Sequence, residues 1–416
     1  MKKPFTILVV ILSFIGLQSA YAQDVITLGI SDQMATILNA YTGSASDVTV
    51  IVPAGYTNPE YTAATPLPIS LISIPAVIKN LTIQGDGSNP TVLTTTFNLP
   101  ATSLTSFTLK NLTIKGVEDG TTPLTLGNYV IGGSSAEAVA TVNITGCSIA
   151  NFRGIVRMRT GVNFTNINVD NCIIRNIGSY CLLVNEAGST LGNYIIKNST
   201  VYGTNTSLFG VSASLPTTFT ISDCTFDNII FTAGKYFIDF GTTTTTTALT
   251  ISNTIIGKTA NAATVKGIRG GTGFTYTVNN SYITSDCLTA SPALTGFTAY
   301  ANTAASLFTT PTTFDGTAAT ATVGNYSIKD NSFAAIAGDP RWRISTAVSF
   351  PKASSTVILY NGSEISLNEA QDIAIYGVTG QLLQSAKQVN KLSVATLTRG
   401  IYAAKAGMSI LKFIVR

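Results

Sequence analysis

Residues 170–181, DNCIIRNIGSYC, set Cys172 and Cys181 nine apart beside Asp170 and Arg175. Two thiols at that spacing raise redox or metal chemistry. Zinc would want a CxxC pair or histidines, and this chain has five cysteines, no CxxC pair and no histidine. A histidine-based triad is excluded for the same reason.

The other residues able to do chemistry are Arg157 and Arg159 in GIVRMR, Asn185 in YCLLVN, Ser212 in SLFGVS, Asp239 in YFIDFG and Arg269 in KGIRGG. Successive strand residues point to opposite sides of a sheet. With Val156, Leu182, Phe209, Ile238 and Ile268 inward, Arg157, Leu183, Gly210, Asp239 and Arg269 share an outward column. Arg159, Asn185 and Ser212 form the next one. Guanidinium forks match carboxylates, so this face is the candidate site for a polysaccharide, with a merely solvated, scatter-charged face as the plain alternative. β-Elimination from a uronic acid would need more: Arg157 or Arg159 as base, and Ca²⁺ on an acidic cluster to neutralise the substrate carboxylate. Asp239 and Glu186 belong to different segments, and Asp223 is engaged at a bend. Hydrolysis would want paired carboxylates, and Glu118 with Asp119 falls in an expected loop. The expectation is binding without a cofactor, Ca²⁺ entering only for a lyase, with a purely structural role as a further alternative.

What must position these residues is a repeat. IKNLTIQG (78–85) and LKNLTIKG (109–116) are near copies, and the frame continues through ITGCSI, VDNCII, IKNSTV, ISDCTF, ISNTII, VNNSYI and IKDNSF. The nine anchors are Leu81, Leu112, Cys147, Cys172, Ser199, Cys224, Thr254, Ser281 and Asn331, spaced 25 to 35 residues apart until a last interval of 50. The positions three before and two after each anchor are always apolar. The position just before it holds Asn, Asp or Gly, the types that tolerate positive φ. A strand, one left-handed residue and another strand make a sharp bend once per coil. Stacked coils about 4.8 Å apart would align these bends and fill a continuous apolar interior. The pattern predicts an all-β protein, a right-handed parallel β-helix over 23–345, its hand taken from crossover chirality. The cysteines are then rungs of a column shared with serine and threonine, expected as packed thiols; a Cys147–Cys172 disulfide stays open for an exported chain.

At the ends, MKKPFTILVVILSFIGLQSAYAQ carries Lys2 and Lys3, an apolar run and an A-x-A site at 20–22, which predicts a signal peptide over 1–22. The run is too short for a membrane span. Setting aside Lys2 and Lys3, the 24 basic residues fall to 22 against 20 acidic ones, a balance that argues against nucleic-acid or membrane-surface binding. SDQMATILNAY (31–41) predicts a short capping helix with Ser31 or Asp32 as N-cap, TVIVPAGYT (49–57) the first coil, and AGDPRWRI (337–344), with the sole Trp342, the closing cap.

From about Ser355 the pattern changes to alternating strands without the bend. Ile375, Tyr376 and Gly380, then Leu397, Gly400 and Tyr402, then Lys412 make residues 355–416 similar to the C-terminal sorting domain of type IX secretion cargo, although Gly377 stands where many such tails carry Asp. The resemblance implies a small Ig-like β-sandwich, the type IX machinery as partner, and a secreted or surface-attached protein; the chain is expected to be a monomer. Residues 80–345, with NFRGIVRMR, DNCIIRNIGSY, IKNST and GDPRW, resemble exported β-helix proteins related in shape to pectate lyases. That family carries no established activity, so this resemblance implies fold and location only.

Overall fold

The structure, a computed structural model, describes residues 23–57, 69–70, 74–87, 92–99, 104–116, 128–132, 138–242, 246–260, 264–312, 323–343, 358–360, 362–406 and 409–415. The proposed signal peptide and the Glu118–Asp119 pair lie outside the described residues. The chain divides into two units, 1–344 and 345–416.

The first unit is a parallel β-helix. Each coil passes through three strands, as in Asn163–Asp170, Ile173–Ile177 and Leu182–Val184. Stacking gives three parallel sheets of ten, nine and eight strands among the described residues. We call them the first, second and third sheets in chain order within a coil. The interior is one continuous apolar cluster. Its columns follow the register, with Val50, Ile83, Leu109, Ile144, Val169, Ile196, Ile221, Ile251 and Val278 aligned across the first sheet.

The predicted bend falls between the first and second sheets. Asn111, Gly146, Asn171, Asn198, Asp223, Asn253 and Asn280 all have positive φ, from 43° to 64°. The anchors that follow explain why Cys, Ser and Thr interchange there. Cys147 Sγ donates to the Thr145 carbonyl, Cys172 to Asp170, Ser199 Oγ to Lys197, Cys224 to Ser222, Thr254 to Ser252 and Ser281 to Asn279. Each is a small side chain whose donor satisfies the carbonyl two residues back, which a buried bend would otherwise strand. All five cysteines are free and buried, so Cys147 and Cys172 are not joined. Burial holds Cys172 well above the ordinary thiol range and pushes Cys181 up to about 12.

Two of the nine copies are not coil bends. In the first, Leu109 aligns with Ile83 rather than Ile78, and Ile114 with Leu93. Asn80 is therefore a strand residue whose amide bonds the Asp47 carboxylate. The strand's apolar alternation continues past the shared KNLTI letters, so a local match can be threaded before or after a bend. In the last copy, Asn325–Ile328 pairs antiparallel with Phe308–Thr310, outside the stack. A second left-handed column, Asn151, Asn176, Gly203 and Asn228, turns the chain from the second sheet to the third. Asn176 Nδ2 donates to Asn151 Oδ1 at 2.9 Å in the buried interior.

The N-terminal helix is Met34–Asn39, with Met34 and Leu38 buried. Its N-cap is Gln33 without a side-chain cap bond, because Asp32 instead accepts from the Gly29 amide. The strand Asp47–Val52 is preceded in the first sheet by Gln23–Thr27, so TVIVPAGYT does not begin the stack. AGDPRW does not close the end either. Ile336 meets Asn280, Gly338 meets Asn253, Asp339 meets Thr225 and Thr200, and Arg341 meets Asn171. The segment runs back along the bends as a strap, because its buried polar groups find partners there.

The second unit is an antiparallel β domain of five strands among the described residues, Ile358–Tyr360, Glu364–Gly377, Leu382–Ser393, Gly400–Ala406 and Ser409–Val415. Register shifts between Ser366 and Ile373 interrupt its longest strand. Ile365, Ile373, Ile375, Tyr402 and Phe413 form its core. Ile375, Tyr376, Gly377 and Tyr402 thus occupy paired strands.

Candidate polysaccharide-binding face

The outer face of the third sheet brings the predicted residues into register. Arg157 pairs with Leu183, Leu183 with Gly210, Gly210 with Asp239 and Asp239 with Arg269. The column holds because Val156, Leu182, Phe209, Ile238 and Ile268 are all buried beside it. Arg159, Asn185 and Ser212 each follow the last residue of their strand and are exposed. They rim the face without sharing the ladder.

The two column arginines are not free. Arg157 Nη2 lies 2.8 Å from Glu186 Oε1, with 22% and 29% of the side chains exposed. The Thr160 amide and Arg157 together hold the Glu186 carboxyl below the usual range. Arg269 forks onto Asp239 through Nε and Nη2, both at 2.6 Å, a bidentate pair. Arg157 is thus ion-paired and only partly exposed. A carboxylate from the neighbouring coil reaches it because stacking brings Glu186 alongside, although 29 residues separate the two.

Tyrosines also line this face, at positions that charge and alternation do not mark. Tyr129 pairs with Gly154, two residues before inward Val156; Tyr180 and Ser207 hold the same place before Leu182 and Phe209, and Tyr236 pairs with Lys266. Arg153 and Arg157 each stand 6.0 Å from the Tyr129 ring centre, Lys266 5.2 Å and Arg269 4.5 Å from that of Tyr236. These are cation–π distances. Gly154 and Gly210 make room for the rings, since a Cβ at either would fall on Tyr129 or Tyr180. In the sequence they appear as a tyrosine in alternate coils two residues before an inward apolar residue, a pattern that carries no charge. The Nε–H groups of Arg153 and Arg157 are buried without a hydrogen-bond acceptor among the described residues.

Chemically, the face combines guanidinium groups, an ammonium group, the buried Tyr129 ring, the half-buried rings of Tyr180 and Tyr236, and two carboxylates already paired. Among the described residues no three of His, Cys, Asp and Glu converge to hold a metal ion, and no helix is long and apolar enough to cross a membrane. The fold and this face define a β-solenoid with a cationic, aromatic sheet surface. Compared with known proteins, the chain matches no family model and no curated protein.

Proposed function

We infer that this is an exported β-helix protein that binds an acidic polysaccharide along the outer face of its third sheet, delivered to the cell surface or beyond by its C-terminal domain. The observation that carries the reading is the aligned column from Arg157 to Arg269 with Tyr129 and Tyr236 beneath its cations. A linear ligand lying along the stack meets the same register coil after coil. Arginine paired to carboxylate is already the chemistry of this face, and a uronic acid offers the same group.

The test is retention of the purified protein on immobilised polygalacturonate, alginate, hyaluronan and an uncharged glucan at low salt. Retention on one or more acidic glycans, fading as salt screens the charges, supports the reading. Equal retention on the uncharged glucan, or none on any, overturns it and leaves the structural role. Release of an unsaturated uronate absorbing in the ultraviolet would convert the binder into a polysaccharide lyase, with exposed Arg159 better placed as base than Arg157, which Glu186 occupies.

A further inference from the structure

The cations of the third sheet are not spread evenly along it. They gather in two places of the same construction. At the first, the Tyr129 ring lies on Gly154 and under Arg157 and Arg153 of the next coil. At the second, the Tyr236 ring lies under Arg269 and Lys266 of the next coil. Each has one arginine engaged by a carboxylate, Glu186 or Asp239. Each also has one further cation, Arg153 or Lys266, that has no ion pair among the described residues. Register makes the equivalence quantitative: Arg157 and Arg269 occupy one column four coils apart, a separation of roughly 19 Å at about 4.8 Å per coil.

The stretch between is different. It holds Leu183, 8% exposed, and Gly210 under the Tyr180 ring, an apolar floor. The rings at the two ends lie against cations, and among the described residues no cation lies over the Tyr180 ring between them.

We propose that the two clusters are paired anion stations and that the ligand is an extended polyuronic acid long enough to bridge them, its intervening sugars lying over Leu183 and Tyr180. This rests on the binding reading above and adds a length requirement to it. Carboxylate is the anion chosen because the two arginines already hold carboxylates in this geometry, one of them by both fork nitrogens. In each station the paired arginine is fixed by its own acid, and the second cation is left for the ligand. One chain that occupies both stations gains the effective concentration of a tethered second contact, which requires that the linker reach.

The experiment is calorimetric titration of the full chain, at low salt, with oligogalacturonates and oligomannuronates from dimer to decamer. A dimer spans one station, so affinity should rise steeply once the oligomer covers the gap, by about a hundredfold over the dimer. Arg153→Gln and Lys266→Gln should each return the decamer toward dimer affinity, and the double variant, with neither station intact, should fall below it and lose dimer binding as well. Melting temperature and circular dichroism report whether a variant folds; the length series on the unaltered protein does not depend on that. Affinity that climbs gradually, in proportion to length, or decamer binding that neither variant weakens, would overturn the two stations while leaving a binding face. Absence of binding by every oligomer and by both parent polymers would overturn the stations together with the reading beneath them.

Discussion

The outer faces of the second and third sheets begin from similar side chains and reach opposite ends. On the second, Tyr202 and Ile255 lie beneath Ala304, Leu307, Phe308, Tyr326 and Phe333 of the chain's own later segment. Thr200 and Thr225 bond Asp339, and Trp342 Nε1 donates to Thr200. On the third, the Tyr129 ring lies against Arg153 and Arg157, and the Tyr236 ring against Lys266 and Arg269. The carboxylates record the contrast. Under the cover, desolvation raises Asp339 and pushes Asp227 up to about 7. On the open face, Glu186 is held low by the Thr160 amide and Arg157. The carboxylates of the second face are enclosed by the chain's own later segment, and those of the third are held by its arginines.

Removing the cover of the second face should have the largest effect. Phe308 is fully buried against Tyr326, and Phe308→Ala should cost about 3–5 kcal/mol. Limited proteolysis should then cut within 304–343 while the coil persists. Unchanged protection of that segment would mean that its packing does not hold the second face closed.

Both faces hang from the same bends, so a bend mutation should disturb them together. Asn198 has φ 50° and donates to Asp170 Oδ1 at 2.9 Å. Asn198→Val should lose about 2–3 kcal/mol, combining the left-handed penalty with one hydrogen bond. Asn198→Gly should lose only the bond, about 1 kcal/mol. Equal melting temperatures for the two variants would place the bend elsewhere.

A pH titration separates the covered face from the open one. Asp227 accepts from the Lys258 amide and sits beside Asp286 and Tyr326. Its folded pKa, about 7, exceeds the ordinary value of 3.8, so the folded state binds the proton more tightly. The resulting stability is complete below the ordinary value and is lost as pH rises through about 7. Melting temperature should therefore gain from this group between pH 8 and 5, and Asp227→Asn, which keeps the acceptor for Lys258, should flatten that gain. A pH profile identical to that of the unaltered protein would show that Asp227 stays ionised.

The smallest stability effect is expected on the open face. Arg157→Ala with Arg159→Ala removes one partly exposed ion pair and one exposed side chain, which should cost under about 1 kcal/mol. Retention on an acidic glycan should nevertheless fall. Unfolding, or unchanged retention on every glycan, would move the site away from these arginines.

The bend at Asn171 and Asn198 was legible because one residue type at one offset is a local requirement of backbone sterics, repeated until chance is excluded. The outward column from Arg157 to Asp239 was legible for a related reason, since period-two alternation needs only one inward residue per strand. The second bend column was present in the same letters, at Asn151, Asn176 and Asn228, yet Gly203 and the intervening Arg175 and Tyr202 hid it. Tertiary structure alone decided the rest. KNLTI at 79–83 and 110–114 takes two different places because register is settled by the neighbouring coil. Glu186 finds Arg157, and Asp339 finds Thr200 across 139 residues, because stacking and the strap create proximities that no local spacing encodes. A sequence dictates which residues can bend, alternate and pack, since those are properties of a residue and its neighbours. Which face is covered and which is left open depends on where a distant segment finds enough apolar area and enough partners for its buried polar groups.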